Sequence, residues 1–220
     1  MAFGHARLRQ RLAGVVLVLS ALAGLAAARP APAAAGAPTE QLRAQIDRVV
    51  KLLEDPELKK ESRALERRRA VRRIAEEIFD FAETARRSLG RHWQARTPAE
   101  REEFVRLFAD LLERAYIGKI ELFNGEKIQY VGEQVEGDTA VVRTRVVTRQ
   151  GTEIPVDYRM LRRGDRWLVY DVVIEGVSLV ANYRTQFNKI IQTSSYQELV
   201  NRMRTRQEEF QEQERGRRAS

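Results

Sequence analysis

The spacing of apolar residues changes once along this chain, near Gly125. Before that point apolar residues recur every three or four positions from Thr39 onward, which predicts amphipathic helices. After it the period falls to two, which predicts four strands, at 127–134, 139–148, 153–161 and 166–174. Short turns separate these strands, so we expect an antiparallel sheet, followed by helices at 179–193 and 196–206. The pattern predicts an α+β fold with N-terminal helices, a four-stranded antiparallel sheet and C-terminal helices.

The clearest helix start lies at Thr97. A threonine there can cap the helix, Pro98 fits the first helical position, and Glu100 completes a capping box. An earlier helix is expected to break at 55–56, where a proline follows an aspartate, and a new helix to start near Glu57.

The segment 167–187 carries the most specific pattern. It begins as a strand with apolar residues on both faces, which must be covered on both sides. The chain is then expected to turn at Glu175-Gly176 and to enter a helix with Leu179, Tyr183 and Phe187 on one face. We expect these three side chains to lean back over the strand.

The N-terminus has the three parts of a secretory signal peptide. Three arginines precede an uncharged apolar run at 12–25, and small residues follow, which favours cleavage after Ala28. This run is shorter than the roughly 20 residues that cross a membrane, so we expect a soluble exported protein. The predicted organisation is a signal peptide at 1–28, a flexible leader at 29–38, a folded domain at 39–206 and a polar, disordered tail at 207–220.

The composition excludes several kinds of chemistry. The chain has no cysteine, and His92 is the one histidine beyond the signal segment, so metal clusters and nucleophiles based on His or Cys lack their residues. The formal charge of +8 falls to +5 when the three signal arginines are removed. A basic run at 63–73 is interleaved with glutamates, which favours a solvated helix face, or docking to acidic surfaces, over nucleic-acid binding.

Three segments along the chain carry a family resemblance. The first is F-D-F at 79–81 with its following Leu89-Gly90 and Trp93, the second is T-P-A-E-R at 97–101, and the third is D-V-V-I-E-G-V-S-L-V at 171–180. Together they resemble the periplasmic phospholipid-shuttle family of the Mla (maintenance of lipid asymmetry) transport pathway, also called the toluene-tolerance auxiliary component. The resemblance extends over roughly residues 40 to 200.

This resemblance implies an elongated apolar cavity between the sheet and the helices. The cavity would hold phospholipid acyl chains and leave the headgroup near its mouth. The expected lining residues are Phe104, Phe108, Leu111, Leu112, Tyr116, Val142, Tyr158, Met160, Val173, Leu179, Tyr183 and Phe187. The implied partners in the periplasm are an inner-membrane ABC transporter with an MCE-domain protein and an outer-membrane lipoprotein complex. No cofactor, metal or nucleic acid is expected, and we expect a monomer without catalytic activity.

Two alternative functions remain open. One is a carrier of a different, hopanoid-type lipid. The other is a small α+β enzyme that uses Asp80 or Asp171, each of which stands among large apolar residues. Because a buried carboxylate must be paired, we favour a structural role for both, with Arg91, Arg184 or a tryptophan N–H as partner. The segment 176–180 begins like a nucleophile elbow but has valine where the second glycine is needed.

Overall fold

The computed structural model describes residues 37–219. This part of the chain contains six α-helices and five β-strands. The helices are α1 (Ala37–Glu54), α2 (Ala64–Ile78), α3 (Phe81–Leu89), α4 (Pro98–Glu121), α5 (Leu179–Thr193) and α6 (Tyr196–Ala219). The strands are β1 (Lys127–Glu136), β2 (Thr139–Val147), β3 (Glu153–Arg163), β4 (Arg166–Ile174) and β5 (Val177–Ser178). The predicted signal peptide at 1–28 and most of the predicted leader at 29–38 lie outside the described residues.

The strands form an antiparallel sheet in the order β1-β2-β3-β4-β5. The predicted α+β architecture is confirmed, but the sheet has five strands where the periodicity predicts four. Glu175 and Gly176 both have positive φ angles, 50° and 81°, so the chain folds back and Val177 pairs with Ile174. A strand of two residues is too short for a period of two to reveal it.

A β-bulge in β1 decides which of its residues face the interior. The register shifts between Tyr130 and Gly132, so that Tyr130 lies opposite Thr144 and Glu133 lies opposite Val142. Residues opposite each other share a face of the sheet, and both Val142 and Thr144 are buried. Tyr130 and Glu133 therefore point to the same side, although strict alternation would place them on opposite sides.

Helices α1 and α2 cover this face of the sheet. The buried residues at their contact, called here the sheet cluster, are Leu42, Ile74, Ile78, Ala140, Val142, Met160 and Val169. Hydrogen bonds fix the start of α1: the backbone N–H and the hydroxyl of Thr39 donate to the Glu133 carboxylate at 2.8 and 2.6 Å. The side-chain oxygen of Gln41 accepts from the backbone N–H of Trp167 at 2.8 Å.

Helices α3 to α6 pack mainly on one another. Their buried residues, called here the helical cluster, are Ala85, Leu89, Phe104, Leu107, Phe108, Phe187, Tyr196, Leu199, Val200 and Met203. This bundle is joined to the sheet along β4, where the backbone N–H of Asp80 donates to the carbonyl of Val169 at 2.9 Å. The hydroxyl of Thr84 donates to the carbonyl of Tyr170 at 3.0 Å. The described part of the chain thus has two main apolar regions, one at the sheet and one among the helices.

The start of α4 is confirmed and the start of α2 is not. Thr97 forms the predicted capping box at the N-terminus of α4. Helix α2 begins at Ala64 rather than near Glu57. The reason is that the Asp55 carboxylate accepts hydrogen bonds from the N–H groups of Glu57 and Leu58, which stabilises a turn in place of a first helical turn.

Helix α6 is longer than the apolar pattern predicts. It continues to Ala219, past Arg206 where the pattern ends, so residues 207–219 are helical where a disordered tail is predicted. This segment is rich in Gln, Glu and Arg, which have high helix propensity and extend a helix without an apolar face. Between residues 37 and 219, no helix combines the length and the apolar character that crossing a bilayer requires.

Candidate functional site

Six of the twelve predicted lining residues lie together in or against the helical cluster. They are Phe104, Phe108, Leu111, Leu112, Tyr183 and Phe187. The Phe108 ring meets Tyr183 and Phe187 edge to face, with centroids 5.1 and 5.2 Å apart, and Phe104 meets Phe187 at 5.6 Å. Phe104 and Phe108 are 0% and 1% exposed. These rings fill one another's space, as side chains do in a close-packed core.

Three other predicted residues, Val142, Tyr158 and Met160, lie in or against the sheet cluster. They share a face of the sheet, because Val142 lies opposite Tyr158 and Met160 lies opposite Ala140 in the β2–β3 register. Val142 and Met160 are enclosed at 0% and 1% exposure, whereas Tyr158 keeps intermediate exposure.

The last three predicted residues lie apart from both groups. Val173 is buried and follows Val172, which lies opposite Tyr158, so Val173 points to the other face of the sheet. Tyr116 on α4 and Leu179 on α5 are half-buried. Nine of the twelve residues thus divide between two apolar regions, three belong to neither, and the twelve do not form one group between sheet and helices. The contact of each with lipid stays a prediction.

The face of the sheet around Tyr158 is the best candidate for a ligand site. Burial raises the pKa of Tyr158 to about 12, yet the side chain is still partly exposed. Tyr183, against the helical cluster, is also half-buried with a pKa raised to about 12 by burial, so the choice of this face rests on its neighbours. Half-buried apolar residues also pack against the sheet cluster here: Ile46, Val49 and Leu52 of α1, and Phe79, Trp167 and Val172.

Tyr130 belongs to the same site, although it is not among the residues predicted from the sequence. Its hydroxyl is buried and has no hydrogen-bond partner among residues 37–219. Burial raises the pKa of Tyr130, and the neighbouring Tyr158 raises it further. The guanidinium of Arg43 lies over the ring, 4.5 Å from its centroid. The bulge in β1 turns Tyr130 and Glu133 to one face of the sheet. A regular alternation of period two would not predict this.

Asp171 is saturated by hydrogen bonds. It is 3% exposed and accepts from the Ser178 hydroxyl at 2.7 Å, the Val180 N–H at 3.0 Å and Arg159 at 3.1 Å. These contacts fasten β4 to the start of α5. The expected pairing is confirmed, but its charged partner is Arg159, directly across the β3–β4 ladder, and not Arg91, Arg184 or a tryptophan N–H.

Asp80 has a similar structural role. One carboxylate oxygen caps α3 by accepting from the Glu83 N–H at 2.9 Å, and the other accepts from Arg163 at 2.8 Å. Arg163 is none of the three partners expected from the sequence. With both oxygens engaged, neither Asp80 nor Asp171 offers the free carboxylate that a general base requires. Within the described part of the chain, no three His, Cys, Asp or Glu residues lie close enough to hold a metal ion.

The basic run at 63–73 does more than face solvent. Arg67 and Arg68 both pair with Glu121, at 2.9 and 3.1 Å, and Arg72 pairs with Glu113 at 2.8 Å. These ion pairs join α2 to the C-terminal half of α4. Burial raises the pKa of Glu113, and the charge of Arg72 opposes that rise.

A shallow groove of about 300 Å³ also runs along α6. It is lined by Glu198, Asn201, Arg202, Thr205, Arg206 and Glu209. The groove contains none of the predicted lining residues, and its polar side chains do not suit acyl chains.

Comparisons with known proteins agree on one family. A family model described as MlaC protein matches residues 43–205. The chain is 27% identical over 120 residues to the intermembrane phospholipid transport system binding protein MlaC of Haemophilus influenzae, and the match covers 52% of this chain and 56% of that protein. The chain therefore spans little more than half the length of this curated relative. It also resembles the solved structure of a phospholipid-binding protein from Ralstonia solanacearum in complex with a phospholipid. The TM-score is 0.67 at 25% identity, over 77% of this chain and 96% of that one.

Proposed function

The chain belongs to the MlaC protein family, and from this membership we propose that it is a phospholipid carrier. In this proposal the acyl chains lie against the sheet face that bears Tyr158, under α1. The observation that carries the proposal is the match over residues 43–205 to the family model. The similarity to a structure that holds a phospholipid supports it.

The energetics of lipid in water explain why such a carrier is needed. Each methylene group exposed to water costs about 0.8 kcal/mol, so two long acyl chains cost on the order of 20 kcal/mol. An apolar site inside a protein offsets most of this cost. The half-buried aliphatic residues of α1, such as Ile46 and Val49, would provide that apolar surface. Holding the lipid in this way requires no nucleotide.

We further propose that the protein works in the periplasm and moves phospholipid between the inner and outer membranes. The signal-peptide pattern at 1–28 supports export. The proposed partners are an inner-membrane ABC transporter with an MCE-domain protein and an outer-membrane lipoprotein complex. The name of the Haemophilus influenzae relative, an intermembrane phospholipid transport system binding protein, supports a transport role.

Mass spectrometry of lipid extracted from the purified protein tests the proposal. We expect about one phospholipid per protein molecule after gentle purification. Recovery of a hopanoid-type lipid instead would identify a carrier of a different cargo. A folded protein that never carries lipid, and that takes up none from phospholipid vesicles, would contradict the proposal.

A further inference from the structure

Two tyrosine hydroxyls in the sheet cluster lack protein partners. The Tyr130 hydroxyl is buried without a hydrogen bond. Tyr158 is half-buried, and burial alone, with no hydrogen bond, raises its pKa. A buried polar group without a partner costs about 1–3 kcal/mol, so such groups in a native protein need a physical reason.

The two side chains lie on the same face of the sheet. Tyr130 lies opposite Thr144 of β2, and Tyr158 lies opposite Val142 of β2. Val142 and Thr144 are two residues apart on one strand, so the two tyrosines share one face of the sheet. The phenols are close enough for Tyr158 to raise the pKa of Tyr130. The surroundings are otherwise apolar, and they include the half-buried Val172.

Neighbouring charged side chains do not satisfy these hydroxyls. Arg43 sits over the Tyr130 ring, in cation–π position. Its attraction to the hydroxyl only weakly opposes the rise of the Tyr130 pKa, and it forms no hydrogen bond of normal geometry with that hydroxyl. Asp47 adds a negative charge near Tyr130, which opposes that of Arg43. Ser88 on α3 also has an unpartnered hydroxyl, but it is 0% exposed and belongs to a different element, away from the sheet cluster. The pair at 130 and 158 combines two donors with apolar surroundings.

We propose that the hydroxyls of Tyr130 and Tyr158 donate hydrogen bonds to oxygen atoms at the head of the bound lipid. The phosphate and the glycerol ester carbonyls share the required chemistry, because both present strong acceptors where the acyl chains begin. The inference rests on the proposed lipid-carrier function and adds to it a site that fixes the depth of the lipid. An alkyl chain without such oxygens would gain no affinity from these hydroxyls.

The test uses Tyr130→Phe, Tyr158→Phe and the double variant. Each change removes one hydroxyl and keeps the ring, so folding is preserved. In delipidated protein the melting temperature should stay unchanged or rise, because an unpartnered hydroxyl is removed. In lipid-loaded protein it should fall. Tyr196→Phe is the matched control: its hydroxyl donates to the Glu100 carbonyl at 3.1 Å, so its loss should lower the melting temperature of both forms.

Affinity measurements separate the two oxygen sources. Displacement of a fluorescent alkyl probe would be measured with a diester phospholipid, a diether phospholipid, a diacylglycerol and a plain hydrocarbon of equal chain length. We expect the double variant to bind the diester phospholipid about tenfold more weakly than the wild type, and the hydrocarbon equally well. Weakening limited to the two ester lipids would assign the carbonyls, and weakening limited to the two phospholipids would assign the phosphate.

Three results would decide against the site or the function. Equal weakening for the hydrocarbon would show that packing was lost, and unchanged affinity for all four lipids would show that the hydroxyls do not contact the ligand. Either result overturns this inference while the wild type still binds lipid. A wild-type protein that binds none of the lipids would instead overturn the proposed function.

Discussion

The helical cluster and the sheet cluster are built from similar residues but treat their polar groups differently. In the helical cluster the Tyr196 hydroxyl donates to Glu100, and the rings of Phe104, Phe108 and Phe187 are interlocked. In the sheet cluster the Tyr130 hydroxyl has no partner among the described residues. Apolar composition therefore does not distinguish a packed core from a ligand site. The contrast lies in the tyrosines and not in every polar group, since the Ser88 hydroxyl of α3 is also buried without a partner.

The largest effect is expected in the helical cluster. Phe104→Ala should lower the free energy of unfolding by about 3–5 kcal/mol, because it leaves a cavity among closely packed rings. Urea unfolding measures this loss. Lipid bound per folded molecule should stay unchanged. If the variant keeps its stability but loses lipid, Phe104 lines the cavity after all and the comparison fails.

The junction of the two regions gives the next effect. Asp171→Asn should cost about 1–3 kcal/mol, because the amide cannot accept from Arg159, Ser178 and Val180 at once. Thermal unfolding measures the change. Asp138→Asn, which breaks an exposed pair with Arg162, is the control and should cost under about 1 kcal/mol. Equal effects of the two changes would show that Asp171 does not fasten α5 to the sheet.

A matched pair of substitutions on the sheet face sharpens the comparison. Val142 is fully enclosed, so Val142→Trp should overpack the cluster and cost about 1–3 kcal/mol. Val172 is half-buried opposite Tyr158, so Val172→Trp should cost less stability and displace more lipid. Unfolding curves and the lipid content of both variants provide the measurement. Normal lipid loading in Val172→Trp would remove this face from the site.

The smallest effect concerns pH. Hydrogen bonds from Arg86, and then Arg87, lower the pKa of Glu83 to about 2 from its usual 4.5, against the opposing effect of burial. The stability that ionised Glu83 gives the folded protein is fully present above pH 4.5 and is lost as the pH falls toward 2. Because the arginines are well exposed, we expect at most about 1 kcal/mol. Melting temperatures of wild type and Glu83→Gln, with and without lipid, should converge at low pH. If the melting temperature of the wild type fell by different amounts at low pH with and without lipid, the placement of Glu83 outside the lipid site would be contradicted.

Local signals predict much of the fold. The change of period near Gly125 separates helices from strands, and the capping box at Thr97 marks the start of α4 because those interactions lie within four residues. The two-residue strand β5 and the helical segment 207–219 escape such signals. The first is too short to show a period, and the second has no apolar face.

The candidate site is harder to predict than the fold. Periodicity correctly places Val142 on one face of its strand and Tyr183 on one face of its helix, but it does not show whether those faces meet. The structure places the two residues in different apolar regions. Tyr130 reaches the site through a β-bulge, Asp171 meets Arg159 across the sheet, and Asp80 at the start of α3 meets Arg163 of β3, so all three depend on tertiary pairing.

The two tryptophans of the chain allow a direct test of where lipid binds. Trp93 packs against the helical cluster and Trp167 against the sheet cluster. Trp93→Phe and Trp167→Phe each leave one tryptophan, whose fluorescence reports on one region. Phospholipid with brominated acyl chains should quench Trp167 strongly and Trp93 weakly. Strong quenching of Trp93 with none of Trp167 would place the acyl chains among the helices and contradict the assignment of the lipid site to the sheet face.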